Sequence, residues 1–496
     1  MPIERGTTPL THRAAGAAWW SALEIAARYG VQFFVVLALA RLLSPSDFGL
    51  IAMLLVFTSI GAVLVDSGFG TALIQRQDTT ADDETTVFVF TTAMGALLFI
   101  VLWVSAPAIA HFYQQPTLAP LTRLVAWVLP ISALSAVPDA ILTQRLRFKA
   151  RAKAQIVGAL GSAALAVGLA LHGAGVWSLA WQAVAAAGLR ACLLWVYSGW
   201  RPAGHFRQAS FRRLFGYGGY MLLSNLLNAI STRLQSLLIG KIFDANALGY
   251  YTMAQNIQQA PASFMSGILN RVGLPVFSTI ADQPVKLLTA LRFSLRVALF
   301  LFVPCMIGIA VIAEPLIIMV YGPRWAPAAP LLSILAVSAV FWPLHVLNLA
   351  AIGAQGRSDL IFRLEVIKRV VSISLIIASS PWGPMAIAWA VLASSVFAVA
   401  INTWYSKKLL GYGALAQLVD QNGTLMLSLA AAVAGWAVLH WTHPGLIPTL
   451  AAIMIAMFVY LGAAMVFRNP AFLDLLDVCR ALTERRFSEQ SLQKHR

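Results

Sequence analysis

The chain has 496 residues, of which 59% are hydrophobic and only 11% are charged, and its formal net charge is +16. A soluble globular protein is about one quarter charged, so this composition excludes that class and predicts a protein that crosses a membrane many times. The positive charge does not call for a nucleic acid partner, because Lys and Arg are enriched in the cytoplasmic loops of membrane proteins. The three cysteines are far apart and predict neither a disulfide framework nor a metal site.

Apolar segments long enough to span a bilayer, which takes about 20 residues, follow one another along the chain. Fourteen are predicted, near residues 17–40, 48–67, 86–110, 118–142, 153–172, 175–198, 214–240, 247–270, 289–312, 327–351, 360–379, 384–406, 424–441 and 447–467. An even number of spans places both termini on one side of the membrane. Lys and Arg are concentrated in one set of loops, such as 145–153 and 201–213. These loops and both termini are therefore predicted to be cytoplasmic.

The loop from Arg76 to Glu84 is an exception to this charge pattern, since it is net acidic. Acidic residues contribute little to orientation, so its cytoplasmic assignment is kept. No loop is long enough for a soluble domain, and any function has to be built from the helices. We expect a first six-helix lobe over 1–200, a second over 201–410, and a last helix pair with a cytoplasmic tail over 411–496.

An internal repeat supports the two lobes. The segment RLLSPSDFG, which begins at residue 41, aligns without a gap with KIFDANALG, which begins at residue 241. The same shift of 200 residues aligns Met53 with Met253. The predicted first and seventh helices start the two halves in the same orientation. We therefore expect a parallel repeat, related by an axis along the membrane normal.

Several short motifs carry a family resemblance. The segment RLLSPSDFG at 41–49 precedes an apolar helix, and VDSGFGTALIQ at 65–75 follows it. With QRLRFK at 144–149, YGPRW at 321–325 and AQGRSD at 354–359, they resemble the bacterial polysaccharide transporters. These are Wzx-type flippases of the multidrug/oligosaccharidyl-lipid/polysaccharide exporter superfamily. The similarity extends from the first predicted helix to the eleventh.

This resemblance implies an all-α polytopic membrane protein of the bacterial inner membrane, with two six-helix lobes around a central cavity. It implies that undecaprenyl-diphosphate-linked oligosaccharide units are flipped across that membrane by alternating access, for exopolysaccharide, O-antigen or capsule synthesis. The implied partners are the lipid-linked oligosaccharide and membrane lipid. A polysaccharide polymerase, a chain-length regulator or glycosyltransferases are further expected partners.

Ionisable residues inside spans usually face the bundle interior or a water-filled path. Glu24, Arg28 and Gln32 share one face of the first predicted helix, and the 200-residue shift aligns Arg28 and Gln32 with Asn228 and Thr232. Arg28 lies near mid-membrane, and a planar guanidinium suits phosphate oxygens. We therefore predict that Arg28 binds the diphosphate while Glu24 competes for it. The alternative is a structural ion pair between these two residues.

Three other cations inside predicted helices are candidates for the same headgroup: Arg123, Arg190 and Arg233. Arg190 lies nearer mid-depth and is preferred. Arg123 lies close to the periplasmic end of its helix and equally well extends to the interface. Arg233 lies on the edge of the polar stripe formed by Asn228 and Thr232.

Amide side chains form a further group on the eighth predicted helix, at Gln255, Gln258 and Gln259. Amides within a membrane helix need hydrogen-bond partners. Neighbouring helices supply these partners in one interpretation, and sugar hydroxyls of the substrate do so in the other. The two interpretations remain open.

Two carboxylates, Asp66 and Asp139, lie near the predicted cytoplasmic ends of their helices and are candidates to bind a coupling proton or Na⁺. For Asp66, holding the turn DSGFG is the favoured role. For Asp139, a cap or an ion pair with a neighbouring cytoplasmic arginine is the more common role, and Arg145 and Arg147 are close in sequence.

No H-E-x-x-H, Walker A or C-x-x-C motif occurs, so no catalytic residue, metal or cofactor is predicted and the protein is not expected to be an enzyme.

A multidrug or cation antiporter of the same superfamily is one alternative function. Acids should dominate the cavity of such an antiporter, whereas the buried charges predicted here are mainly arginines. A polysaccharide polymerase or ligase is a second alternative, but it would need a substantial periplasmic loop, and no loop of this length is predicted. A peptidoglycan-precursor flippase has the same physics, and only substrate assays separate it from the preferred function.

Overall fold

The computed structural model describes residues 30–477, with the exception of residues 67, 76, 77, 443 and 444. Over this part of the chain the regular structure is helical and no strand is present. The helices are α1 (Gly30–Leu42), α2 (Pro45–Asp66), α3 (Phe69–Gln75), α4 (Ala81–Tyr113), α5 (Leu118–Val125), α6 (Val128–Gln144), α7 (Phe148–Leu171), α8 (Val176–Ser198), α9 (Gln208–Ile242), α10 (Ala245–Thr279), α11 (Pro284–Val311), α12 (Ala313–Tyr321), α13 (Ala329–Ala339), α14 (Trp342–Ala354), α15 (Ser358–Ser379), α16 (Pro384–Leu410), α17 (Ala414–Trp441) and α18 (Leu446–Val466). Short 3₁₀ helices occupy Pro323–Ala328 and Ser380–Trp382.

Ten stretches of the described chain are long and apolar enough to cross a membrane. These ten are α2, α4, α5 with α6, α7, α8, α11, Pro323–Ala354, α16, α17 and α18. The described part of α1 is apolar but short, whereas α9, α10 and α15 are long and more polar. The prediction of an all-α, multi-pass membrane protein is confirmed. The count of fourteen spans and the side of the termini stay predictions.

Helices α2 and α10 begin with polar caps that are 200 residues apart. At α2, the backbone N–H and the hydroxyl of Ser44 donate to Oδ2 of Asp47 over 2.9 and 2.6 Å. At α10, the backbone N–H of Ala247 donates to Oδ1 of Asp244 over 2.7 Å. Such bonds satisfy polar groups that the first turn of a helix leaves without partners. Helix α2 begins at Pro45, where the sequence predicts helix-start residues.

The first turns of α2 and α10 cross at two glycines. A Cβ atom at Gly49 would lie 1.7 Å from the carbonyl oxygen of Ala245, and one at Gly249 would lie 2.0 Å from that of Pro45. The shift of 200 residues converts each of these contacts into the other. The crossing is therefore reciprocal, and glycine is needed on both helices because a side chain would collide with backbone.

Two spans are interrupted shortly before a proline. The break between α5 and α6 lies at 126–127, ahead of Pro130, and that between α13 and α14 lies at 340–341, ahead of Pro343. Proline lacks the N–H that would bond to the residue four positions earlier. In the sequence, Pro130 and Pro138 each predict a kink in the span of α5 and α6. The break coincides with Pro130, whereas Pro138 lies inside α6 without interrupting it. The break before Pro343 was not predicted.

The described residues form two compact units that divide after Gly249. In the first unit, α9 packs against α2 and α4. One apolar core of this unit contains Phe69, Val137 and Leu214. The main core of the second unit is built on α10, α11 and α14. The predicted division at residues 200 and 410 stays a prediction.

The acidic start of α4 binds the basic residues that lead into α9. Asp82 pairs with Arg207 over 2.7 Å, and the fully buried Asp83 pairs with Arg213. The net negative charge of the loop before α4 is therefore balanced within the protein. This explains why an acidic loop occurs among loops that are otherwise basic.

Candidate functional site

The predicted polar stripe of the first helix is described only in part. Glu24 and Arg28 lie outside the described residues. Gln32 lies on α1 and is exposed. The roles predicted for these three residues stay predictions.

Asp139, Arg151 and Arg190 form a group that we call the charged cluster. Arg151 donates from Nε to Oδ1 of Asp139 over 2.8 Å and from a terminal nitrogen to Oδ2 over 3.4 Å. Arg190 donates to the same Oδ2 over 3.0 Å. The side chains of Arg151 and Arg190 are 30% and 31% exposed, and that of Asp139 is 22% exposed. One carboxylate therefore binds two guanidinium groups that are both accessible from outside the protein.

The charged cluster is assembled by three consecutive helices. Asp139 lies on α6, Arg151 on α7 and Arg190 on α8, and these helices pack against one another. A Cβ atom at Gly158 of α7 would lie 3.3 Å from the backbone nitrogen of Arg190, so the backbone of α8 comes close to α7. The indole of Trp195 on α8 also donates to a backbone carbonyl of α6, over 2.9 Å. Helix packing therefore sets the position of Arg190.

The partners of Asp139 come from two other helices. Arg145 and Arg147 are its near neighbours in sequence, but the structure pairs it with Arg151 and Arg190. In the sequence, Asp139 and Arg190 stand out separately as charges within predicted helices, whereas Arg151 does not stand out from the other basic residues of its loop. The spacing of twelve residues between Asp139 and Arg151 spans a helix end and a turn, so no helical periodicity relates these two residues.

Asp66 ends α2 and lies beside the glycine turn that leads into α3. Its Oδ1 is 3.0 Å from the position that a Cβ atom would take at Gly70. Gly68 adopts a φ of 72°, which favours glycine. The geometry suits the predicted role in holding the turn, and the ion-coupling role stays a prediction.

Arg233 lies on α9 and donates from Nε to the hydroxyl of Ser59 on α2, over 3.1 Å. The hydroxyl of Thr232 donates to the backbone carbonyl of Asn228 over 2.8 Å, and both of these side chains are exposed. Arg233 therefore contributes to the contact between α2 and α9. A role in binding substrate stays a prediction for all three residues.

The remaining sequence candidates occupy separate surroundings. Arg123 is exposed, and its guanidinium lies 5.7 Å from the centre of the Trp103 ring, a contact that stabilises a cation at a surface. On α10, Gln258 is buried, Gln255 is partly buried and Gln259 is exposed. Their predicted contacts with substrate stay predictions. Within the described chain, no group of three or more His, Cys, Asp or Glu side chains is placed to hold a metal ion.

Asn348, Ser406 and Gln417 of the second unit form a group that we call the amide cluster. Asn348 and Gln417 exchange two side-chain hydrogen bonds of 3.1 and 2.9 Å. Ser406 donates to Oδ1 of Asn348 over 2.6 Å. Asn348 and Ser406 are fully buried, and Gln417 is 2% exposed. This neutral cluster joins α14, α16 and α17, and sequence analysis missed it. The one available signal was an isolated Asn within the apolar run of α14.

Tyr412 connects the amide cluster to charged side chains. Its backbone carbonyl accepts from Gln417 over 3.1 Å, and its hydroxyl donates to Asp420 over 2.8 Å. Arg292 lies 3.4 Å from Asp420 and 4.8 Å from the centre of the Tyr412 ring. Burial and the bond to Asp420 raise the pKa of Tyr412 above its ordinary value, so the phenol stays protonated and keeps donating.

A cavity of about 280 Å³ lies beside the amide cluster, between α11, α13, α14, α16 and α17. Its lining is apolar except for Gln417, Gln421, Thr403 and Thr424. Gln421 is 3% exposed, and neither of its amide atoms has a hydrogen-bond partner in the described part of the protein. Gln417, whose amide is hydrogen-bonded, and Gln421, whose amide has no partner among the described residues, therefore lie about one turn apart on α17.

Residues 38–330, more than half of the chain, match the family described as polysaccharide biosynthesis protein. The chain belongs to this family. It is 28% identical over 400 residues to the teichuronic acid biosynthesis protein TuaB of Bacillus subtilis (strain 168), covering 80% of this chain and 82% of that protein. It is also 28% identical over 319 residues to the succinoglycan biosynthesis transport protein ExoT of Rhizobium meliloti (strain 1021), covering 64% of this chain and 65% of that protein.

A solved structure extends the comparison to the fold. The lipid II flippase MurJ, in its inward closed conformation, matches with a TM-score of 0.76 at 14% identity, over 92% of this chain and 100% of that chain. At this identity the likeness concerns the fold alone. The membership in a polysaccharide biosynthesis family and the membrane transporter fold were both expected from the sequence motifs, and both expectations are confirmed.

Proposed function

We propose that this protein flips oligosaccharide units linked to undecaprenyl diphosphate from the inner to the outer leaflet of the bacterial inner membrane, for polysaccharide synthesis. The observation that carries the proposal is the family match over residues 38–330 on a membrane transporter fold. The similarity to ExoT, a succinoglycan biosynthesis transport protein, and to MurJ, a lipid II flippase, supports it further. Alternating access is the proposed mechanism.

The proposed headgroup contacts are cationic. Arg28, Arg190 and Arg233 are assigned to the diphosphate, with Arg123 as a further candidate, because a guanidinium forms paired hydrogen bonds with phosphate oxygens. Such contacts compensate a charged headgroup that leaves the water on its way across the bilayer.

Polar side chains without charge are proposed to contact the sugars or to line their path, together with the single acid Glu24. They are Gln32, Asn228, Thr232, Gln255, Gln258 and Gln259. Side-chain hydroxyl and amide groups are neutral, and they can donate hydrogen bonds to sugar hydroxyls and accept hydrogen bonds from them. Asp66 and Asp139 are the proposed sites for a coupling proton or Na⁺.

The proposed activity is transport rather than catalysis, and it needs no cofactor. Its partners are the lipid-linked oligosaccharide and membrane lipid. A polymerase, a chain-length regulator or glycosyltransferases are proposed to act before or after it. Glycosyltransferases make the substrate of a flippase, and a polymerase uses its product under the control of a chain-length regulator.

Transbilayer movement of a synthetic undecaprenyl-diphosphate-linked oligosaccharide in proteoliposomes tests this function. We expect movement with the wild-type protein and at least a tenfold slower rate with Arg28→Ala. Arg207→Ala is the matched control, because Arg207 is 66% exposed and paired with Asp82, and we expect its rate to match the wild type. Expulsion of a cationic dye against an ion gradient, without movement of the lipid, would establish the antiporter instead.

A further inference from the structure

The charged cluster places two guanidinium groups on one carboxylate oxygen. Oδ2 of Asp139 accepts from Arg151 over 3.4 Å and from Arg190 over 3.0 Å. With Asp139 ionised, the three side chains carry one net positive charge. The two guanidinium groups are thus held close together by the carboxylate of Asp139, which offers only two oxygens. A phosphate offers three oxygens and more negative charge, so it suits two guanidinium groups better than a carboxylate does.

The depth of the cluster suits a lipid headgroup. Arg151 lies three residues after the start of α7, Asp139 five residues before the end of α6, and Arg190 eight residues before the end of α8. At 1.5 Å per residue these positions lie ~5 to ~12 Å from the helix ends. The basic loops predict these ends to be cytoplasmic. The cluster therefore extends from Arg151, near the predicted cytoplasmic interface, towards Arg190, which lies deeper in the membrane, and both Arg side chains are nearly one third exposed.

The side chain of Asp139 is accessible, with 22% of its surface exposed. Its rotation away from the two arginines would not require a packed core to rearrange.

We propose that Arg151 and Arg190 form a binding site for the phosphate of an inner-leaflet lipid headgroup, and that Asp139 is the counter-ion that occupies the site until the phosphate displaces it. The inference rests on the proposed function in taking the lipid diphosphate as its main ligand. It assigns a role to Arg151, and it makes Asp139 a competitor of the headgroup. A structural ion-pair network would have the same contacts but not the same response to substitution.

The sign of the effect of Asp139→Asn tests this proposal. Undecaprenyl diphosphate is titrated into the purified full-length protein, and binding is measured by native mass spectrometry. Because the competitor is removed, we expect Asp139→Asn to bind about tenfold more tightly than the wild type. Arg151→Gln and Arg190→Gln should each bind about tenfold more weakly, since each variant loses one of the two guanidinium groups that bind the phosphate.

Matched substitutions control for charge and for folding. Asp82→Asn removes another carboxylate that pairs with an arginine, and we expect it to leave binding unchanged. Thermal unfolding of each variant verifies that the protein is folded. If Arg151→Gln fails to fold, Arg151→Lys is the second variant. It keeps the positive charge but lacks the paired donors of the guanidinium group, and we expect it to weaken binding by a smaller factor.

Phosphatidylglycerol, titrated in the same way, distinguishes the two sources of lipid phosphate. Binding of both lipids with the same dependence on Asp139 supports a general phosphate site, whereas preference for the diphosphate supports a substrate site. Unchanged or weaker binding by Asp139→Asn overturns the proposal, and so does equal strengthening by Asp82→Asn. Wild-type transport in proteoliposomes without any binding effect of the variants would leave the flippase function standing, whereas absence of wild-type transport would reject that function.

Discussion

The charged cluster of the first unit and the amide cluster of the second each join three helices, but they do so with opposite chemistry. Asp139, Arg151 and Arg190 are charged and between about one fifth and one third exposed. Asn348 and Ser406 are neutral and fully buried. Both groups are held by hydrogen bonds of ordinary length, so bond length does not distinguish them.

The difference lies in how easily each partner can be replaced. Removing charge from water is costly, and an accessible ion pair can exchange its partner for water or for another ion. A buried neutral amide pair is surrounded by apolar groups that offer no alternative partner. We therefore interpret the amide cluster as a fixed connection between α14, α16 and α17. The charged cluster has the properties of a site where partners exchange.

The largest expected effect on stability is that of Asn348→Leu. It removes the acceptor of Ser406 and both bonds between Asn348 and Gln417, although Gln417 keeps its bond to the carbonyl of Tyr412. This loss should lower the free energy of unfolding by about 2–4 kcal/mol. Thermal unfolding of the protein in detergent measures this change. An unfolding temperature equal to that of the wild type would contradict the interpretation of the amide cluster as a fixed connection.

A smaller decrease in the free energy of unfolding is expected for Tyr412→Phe, which removes the hydrogen bond of 2.8 Å to Asp420. The ring keeps its contact with Arg292, so we expect a loss of about 1.5 kcal/mol, typical of a bond to a charged group. The same unfolding measurement applies. A loss as large as that for Asn348→Leu would show that the charged end of α17 matters as much as the amide cluster.

Gln421→Leu should change stability in the opposite direction. The amide of Gln421 is buried without a hydrogen-bond partner in the described part of the protein, so an apolar side chain of similar size should stabilise the protein by about 1 kcal/mol. Gln417→Leu, about one helical turn away, is the matched control and should destabilise. Destabilisation by both substitutions would show that Gln421 also has a structural partner.

The smallest effect on stability is expected for Asp139→Asn. Accessible ion pairs contribute about 0–1 kcal/mol, so the unfolding temperature should change little and should depend on salt concentration. Unfolding of the variant and the wild type at low and high salt measures this contribution. A loss equal to that for Asn348→Leu would remove the distinction between the two clusters.

Much of the architecture was predictable because it depends on local rules. Apolar runs of spanning length predict membrane helices, and Pro45 with Asp47 predicts the start of α2. The repeat predicted equivalent starts for α2 and α10, which the caps at Ser44 and Asp244 show. Bends are less predictable. Pro130 was expected to bend its span, whereas the equally local signal at Pro343 was overlooked.

The sites were predictable only as separate residues. Asp139 and Arg190 were recognised because charge is rare in apolar segments, but the contact between them joins helices that are 51 residues apart in sequence. The same holds for Asn348 and Gln417, which are 69 residues apart. No pattern of period 3.6 relates residues on different helices.

Hydrophobicity and residue-by-residue alignment are sufficient to predict the class of protein and the matching starts of α2 and α10. The tertiary structure decided which polar groups meet. It paired Asp139 with Arg151 and Arg190, and Asn348 with Ser406 and Gln417. Among the described residues, it left the amide of Gln421 without a hydrogen-bond partner. The physical reason is that a polar group inside an apolar bundle needs a partner, and only the packing of helices brings that partner within hydrogen-bond distance.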